Sequence, residues 1–522
     1  MNFKTITLVS IVFISVIVAS ANCKSTSATE RQLAEKYCSS CHLFPEPSLL
    51  DKATWKKNIL PAMGLRLGVR YLLDSPYEVR HEIKNNATTA SRQDALITMD
   101  EWKKIIAYYT KNAPAEALAQ NRPPIENTTD LFAVKKPFSS ESNSSVTYIK
   151  IDEGNKWTYT GNAMDSSLDI YDEKLKLLTH YNIHGVMVDM QFNTPPDERG
   201  ERNGVLTNIG IMNPNDLKTG SAATFRINKD ADILNLEQVL DKMPRPVQTL
   251  MTDLDKDGLQ DYLISGFGNT TGALYWMKNK GRQQYQQNTI RALPGTIKTY
   301  TDDFNHDGLT DIMALTAQGQ EGIYLFTNKG NGTFDTKTIL QFPPVYGSSY
   351  FELDDFNNDG FNDILYTCGD NADYSSHTLK NYHGVYIFLN DGNNNYTQKY
   401  FFPIHGCYKA IARDFDKDGD LDIAAISFFP DSKSQPQEAF VYMENKGMSY
   451  FGQRFQFEPY TIKAFDEGKW LTMDAGDVDG DGDEDIVLGN FSPPGNELQT
   501  IQKEASKFPF LLLENKTELK DR

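Results

Sequence analysis

The stretch Asp253-Leu254-Asp255-Lys256-Asp257-Gly258-Leu259-Gln260-Asp261 decides the fold, because it recurs. It returns as Asp303, Asn305, Asp307, Gly308 and Asp311, then as Asp355, Asn357, Asp359, Gly360 and Asp363. Two further copies are Asp414, Asp416, Asp418, Gly419 and Asp422, and Asp477, Asp479, Asp481, Gly482 and Asp485. Oxygen-bearing side chains at positions 1, 3, 5 and 9 can converge on a hard cation, and glycine at position 6 permits the sharp turn between them. The pattern predicts five calcium loops, and so about five bound Ca2+. An EF-hand would carry glutamate at position 12 and flanking helices. Position 12 is instead Ile264, Ala314, Tyr366, Ala425 and Leu488, and strand-like runs follow directly, so these loops join β-strands.

Working outward, each copy also carries an apolar run that ends in asparagine: Asn279, Asn328, Asn390, Asn445 and Asn515. Successive first aspartates are 50, 52, 59 and 63 residues apart, enough for four strands and their turns. That is the length of a propeller blade. The array resembles the FG-GAP/VCBS repeats of integrin α-subunit propellers. This resemblance covers about 146–517 and implies an all-β propeller with calcium-binding loops. Stretches 146–185 and 186–243 have strand character without the loop, and counting them gives seven blades.

The five loops hold 18 ligand carboxylates, equal to the formal net charge of −18. The acidity is therefore structural, and it argues against nucleic acid or an anionic membrane surface as partner. Apolar content of 39% and charged content of 23% are those of a folded globular protein, and 522 residues exceed one ordinary core.

A second motif lies near the amino end, Cys38-Ser39-Ser40-Cys41-His42. Two thiols and an imidazole at this spacing suit covalent haem attachment, with His42 as an axial ligand. A zinc knuckle would need two more ligands, yet the next cysteines are Cys368 and Cys407; a simple disulfide is the other alternative. Leu33, Tyr37 and Cys41 share a helical face behind a Thr29/Gln32 capping box. A second helix is expected over 53–60, stopping before Pro61, and a third from Thr98 with Trp102, Ile105, Ile106 and Tyr109 on one side.

This segment resembles the class I cytochrome c family, which implies haem c and a methionine as second axial ligand. Met63, expected in a loop after the second helix, is the favoured candidate; Met99 and His81 remain rivals. The expected organisation is multidomain: a signal peptide at 1–23, a small all-α haem domain at 27–113, a linker at 114–145, the propeller at 146–517 and a tail at 518–522. Lys4 and the apolar run Ile6 to Val18 read as an export signal. The small residues before Cys23 leave both cleavage near Ala21 and lipidation at Cys23 open. A periplasmic or cell-surface location follows, with a membrane reached only through that lipid.

Two functions are compatible with these parts. One is single-electron transfer with a redox partner protein; the other is a binding or adhesion module for a glycan or protein, with an accessory or sensory haem. Arg245, Lys298, His405, Lys409 and Lys469 fall at strand starts on the face opposite the calcium loops, where they are expected to form a basic funnel for an anionic or polyhydroxyl ligand. Cys368 and Cys407 should lie near that face, as a bridge or as two buried thiols. No nucleophile triad or phosphate-cradling glycine loop is present, so hydrolase and nucleotide chemistry have no support in the sequence.

Overall fold

The computed structural model describes residues 30–69, 96–137, 144–192, 195, 197–372, 378–448, 455–492 and 508–517. The signal segment with Cys23, the Thr29 cap, His81 and the tail lie outside the described residues.

Strand follows strand from Val146 onward in seven four-stranded antiparallel sheets. Blades I to VI cover 146–182, 187–243, 246–291, 296–341, 348–403 and 407–460. Blade VII combines Trp470–Gly476, Asp485–Asn490 and Phe510–Asn515 with an outermost strand, Phe132–Lys135, from far earlier in the chain. Its pairing of Phe132 with Asn515 and Lys135 with Leu512 closes the ring. The expected linker thus supplies a blade strand, and the propeller unit begins at Gln120. The second strand of each calcium-loop blade is buried along its length, as in Asp311–Thr316 and Asp422–Ser427, because neighbouring blades cover both faces. Outer strands such as Tyr285–Arg291 alternate with solvent.

Around the channel, each inner strand reaches the backbone of the next. Tyr148 donates to the Met190 carbonyl (2.8 Å), Tyr300 to that of Phe351 (3.3 Å) and Lys409 to that of Met473 (2.7 Å). Asp189 accepts from Thr249 N–H (3.3 Å), Gln248 from Thr299 (2.7 Å), Glu352 from Ala412 (3.2 Å) and Asp474 from Ile151 (2.9 Å). All seven blade junctions therefore carry a polar link where two twisted sheets diverge and would strand backbone groups. A strap leads into the ring: Gln120 donates to the His383 carbonyl (3.0 Å), and Arg122 donates to that of Pro403 (2.7 Å) and pairs with buried Glu438.

The other compact unit comprises 1–119 with 372–381. Its described helices are 30–38, a continuous run from Lys52 to Arg66, and Met99–Asn112. The last has the expected capping box between Thr98 and Glu101, and it buries Trp102, Ile105 and Tyr109. The middle run differs from the reading at Pro61. Trp55–Ile59 is π-helical, the Leu60 N–H bonds the Trp55 carbonyl, and Pro61 falls at the first turn of Leu60–Arg66, where its missing N–H is tolerated. The helix therefore passes through Pro61, and Met63 lies on it and not in a loop. No described helix is long and apolar enough to cross a membrane.

Candidate functional sites: the carboxylate loops and the thiol–imidazole motif

The five loops share one backbone path. Position 4 is left-handed in each (Lys256, His306, Asn358, Lys417 and Gly480, φ 56–81°), as is the position-6 glycine (φ 81–100°). That glycine's N–H donates to the first aspartate in every copy, at 2.9, 2.7, 2.7, 3.1 and 3.1 Å. A Cβ at position 6 would meet nothing, so the glycine serves the left-handed turn and not close packing.

The position-9 aspartates, Asp261, Asp311, Asp363, Asp422 and Asp485, are at most 1% exposed. One oxygen of each accepts the N–H of an asparagine of the third strand, at 2.7–2.8 Å, from Asn279, Asn328, Asn390, Asn445 and Asn515, four of which end that strand. The same asparagines return a side-chain N–H to the position-8 carbonyl, at 2.9–3.2 Å. These asparagines are legible in the sequence only as strand ends; their role as braces behind the loop needs the fold.

Burial, reinforced by neighbouring carboxylates, raises the position-9 acids: Asp363 to about 6, Asp422 and Asp485 to about 7. Three loops bring carboxylate oxygens within 4.8 Å of one another: Asp253, Asp255 and Asp261; Asp414, Asp416 and Asp418; Asp477, Asp479 and Asp485. Among the described residues, buried oxygens of Asp253, Asp255, Asp311 and Asp414 lack any hydrogen-bond partner. Converging, partnerless carboxylate oxygens fit a divalent cation. Asn305 and Asn357 instead donate to Asp307 (3.0 Å) and Asp359 (2.9 Å), so those loops have one charge fewer at the centre. In blade III, Lys278 reaches in to pair with Asp255 and lies 3.7 Å from Asp257, an internal cation that the sequence reading missed.

In the small unit, Cys38 is the last residue of its helix, and Cys41 and His42 occupy the turn that follows. Cys38 is half-buried, its thiol pushed up to about 11 by burial, and Cys41 is exposed. His42 Nδ1 lies 2.9 Å from the Leu43 carbonyl, so Nδ1 carries the proton and Nε2 keeps its lone pair. Burial, with a smaller contribution from the Arg66 charge, lowers the His42 pKa and keeps the ring neutral. Arg66 lies three residues beyond Met63 on the same helix, which puts that helix within electrostatic reach of His42. Met63 is partly buried; Met99 is 39% exposed on the first turn of its helix.

Among the described residues, no group of three metal-binding side chains includes Cys38, Cys41 or His42, so a zinc knuckle has no support there. Two features fit a bound group. Trp102 Nε1 is fully buried without a partner among the described residues, and Leu43, Leu96 and Met99 leave apolar surface exposed.

The residues expected to form a basic funnel are mostly engaged internally. Arg245 is 7% exposed and donates to the carbonyls of Gly268 (2.6 Å) and Met212 (3.0 Å). His405 faces Glu438 at 3.1 Å, and Lys409 holds the blade VI–VII link. Lys298 lies over Tyr300 and Tyr350, within the field of Asp189 and Glu352. Lys469 lies over two phenylalanines, Phe428 and Phe429, with no carboxylate paired to it among the described residues; burial lowers it to about 8. Cys368 and Cys407 are two buried thiols at their expected strand ends, and Cys368 contacts the Tyr382 carbonyl at 3.3 Å.

The FG-GAP-like repeat family model matches residues 253–314 and 303–366. Integrin alpha-PS5 of Drosophila melanogaster is 40% identical over 73 residues, 12% of this chain and 7% of that protein, so the chain spans a small part of this relative. Among solved structures, an ancestral GH74 enzyme aligns with a TM-score of 0.47 at 10% identity, over 79% of this chain and 53% of that one. A luciferin-regenerating enzyme aligns with a TM-score of 0.33 at 8% identity, over 57% and 88%.

Proposed function

We propose that this chain, which carries FG-GAP repeats in a seven-bladed, integrin α-like β-propeller, acts as a ligand-binding module. We propose that it is, in addition, an exported c-type cytochrome: a one-electron carrier, periplasmic or at the cell surface, whose propeller docks a redox partner protein or ligand. The observation that carries this reading is Cys38-Ser39-Ser40-Cys41-His42 at the end of a helix, with the His42 Nδ1–Leu43 carbonyl contact leaving Nε2 available. When bound, haem c supplies a one-electron Fe(III)/Fe(II) couple.

The chain's own groups divide the remaining work. Cys38 and Cys41 would provide the two thiols for covalent attachment, and His42 the imidazole nitrogen that would hold the iron. Met63 would supply a thioether ligand, which would exclude small molecules and favour a positive potential. Trp102 Nε1 offers a buried donor to a polar edge of the group. In the propeller, the loop residues would hold five Ca2+, whose ten positive charges would offset about ten of the 18 ligand carboxylates.

The deciding experiment is the visible spectrum of full-length protein, made with its leader in a host that matures c-type cytochromes and recorded oxidised, reduced and under CO. A reduced c-type spectrum unchanged by CO is expected. A spectrum that CO shifts contradicts ligation by Met63; no Soret band at all removes the cytochrome reading and leaves the binding module.

A further inference from the structure

Blade II, like blade I, lacks the carboxylate-loop pattern. The described part of its first turn runs through Asp197 to Gly200, with Asp197 accepting the N–H groups of Arg199 (2.8 Å) and Glu201 (2.9 Å).

At three other junctions, III–IV, IV–V and VI–VII, the loop provides a seal. An asparagine of the following blade donates to the position-2 carbonyl: Asn328 to Leu254, Asn394 to Phe304 and Asn515 to Phe415, each at 2.7 Å. Lys256 also reaches the Gly308 carbonyl across the blade III–IV junction. Among the described residues no bond of this kind crosses from blade III to blade II. In its place is a cavity of about 340 Å³, within the roughly 300–1,000 Å³ typical of small-molecule sites.

The register defines the walls. Asn203, Arg226 and Asn235 are directly paired across three adjacent strands, so they form one lateral row on one face of the blade II sheet. Val205, two residues beyond Asn203 on the same face, packs with Tyr262 and Ile264 of blade III, which identifies this face as the one turned to the junction. Met251, Gln260 and Tyr262 form the opposite wall.

Asn203, Arg226 and Asn235 are exposed. The Arg226 Nε faces Glu201 at 3.5 Å, while its terminal nitrogens and both asparagine amides have no partner among the described residues. No carboxylate lines the cavity, in a chain whose net charge is −18.

We propose that this groove between blades II and III is a binding site for an acidic sugar residue. The guanidinium pairs with a ring carboxylate, the amides of Asn203, Asn235 and Gln260 exchange hydrogen bonds with ring hydroxyls, and the Tyr262 side chain forms the apolar floor. A neutral sugar would leave the terminal nitrogens of Arg226 without a partner, and a simple carboxylate would leave the amides unused. The site is independent of haem in the first unit and lies on the opposite side of the ring from the expected basic funnel.

The test is calorimetric titration of the full calcium-loaded chain with trigalacturonate, maltotriose and acetate. Trigalacturonate is expected to bind one site, at least tenfold more tightly than either of the others. Arg226→Ala should weaken it tenfold or more, and the double variant Asn203→Ala/Asn235→Ala severalfold, with melting temperatures of both near wild type; Lys469→Ala on the other face should leave it unchanged. Absent binding of trigalacturonate, equal binding of maltotriose, or unaltered affinity in both groove variants overturns the proposal. Having two groove variants keeps the test decisive if either fails to fold.

Discussion

Replacing Asp422 with alanine probes the brace behind a calcium loop. Asp422 is fully buried, takes the Asn445 N–H at 2.7 Å on one oxygen and receives the Tyr442 hydroxyl at 2.8 Å on the other. Alanine strands both donors in the blade VI interior. Each unmet buried donor costs about 1–3 kcal/mol, so the expected loss is about 2–6 kcal/mol before any effect on cation binding. One kcal/mol moves Tm by about 2–4 °C in a domain of 150–250 residues, and less in a larger unit such as this propeller. A fall of roughly 3–12 °C in the propeller transition is therefore expected by differential scanning calorimetry. Tyr442→Phe removes one donor together with its bond, leaves the Asn445 contact intact, and should cost about 1 kcal/mol. The two variants thus differ in a direction fixed by the geometry. If Asp422→Ala melts within a degree of wild type both in calcium and in chelator, the brace carries no stability and the reasoning fails.

Three further outcomes follow from the same geometry. Chelation of calcium should lower the propeller Tm by returning mutual repulsion to the loop carboxylates, and Lys278→Met should enlarge the difference between calcium and chelator by removing the ammonium that pairs with Asp255. Lys469 is depressed from 10.5 to about 8 by burial, so between about pH 8 and 10.5 the unfolded chain binds the extra proton and stability from this residue rises with pH. The urea midpoint of wild type relative to Lys469→Met should therefore climb across that window; a flat difference would show that the lysine is solvated. Cys368 and Cys407, both buried thiols, should resist alkylation in the native protein and react equally with and without reductant once it is denatured. A reductant-dependent mass change would mean that they pair.

Much of the propeller was legible because its loops repeat a pattern in which each residue has a separate physical task. Position-6 glycines mark left-handed turns, position-9 aspartates begin buried strands, and the asparagines end the third strand in four of the five blades; all are local requirements. Blade VII was less legible, since Phe132–Lys135 pairs with a strand about 380 residues later, and polar composition around it reads as a connector. Pro61 misled for a different reason. A single proline normally ends a helix, but the π-helical turn of Trp55–Ile59 spaces it into a tolerated position, and neither segment announces this alone. The pairing of the strand-start cations with carbonyls and with Glu438 depends on which blades are adjacent. The groove between blades II and III was invisible because its walls come from strands of two blades whose adjacency the sequence does not show.

The account's central claim is that Cys38 and Cys41 hold haem covalently. It is tested most directly by in-gel haem staining of the full-length chain after boiling in denaturant, beside Cys38→Ala/Cys41→Ala made in the same maturation-competent host. A stained band at full length in the wild type and none in the variant is predicted. An unstained wild-type band, or equal staining of both proteins, would contradict it.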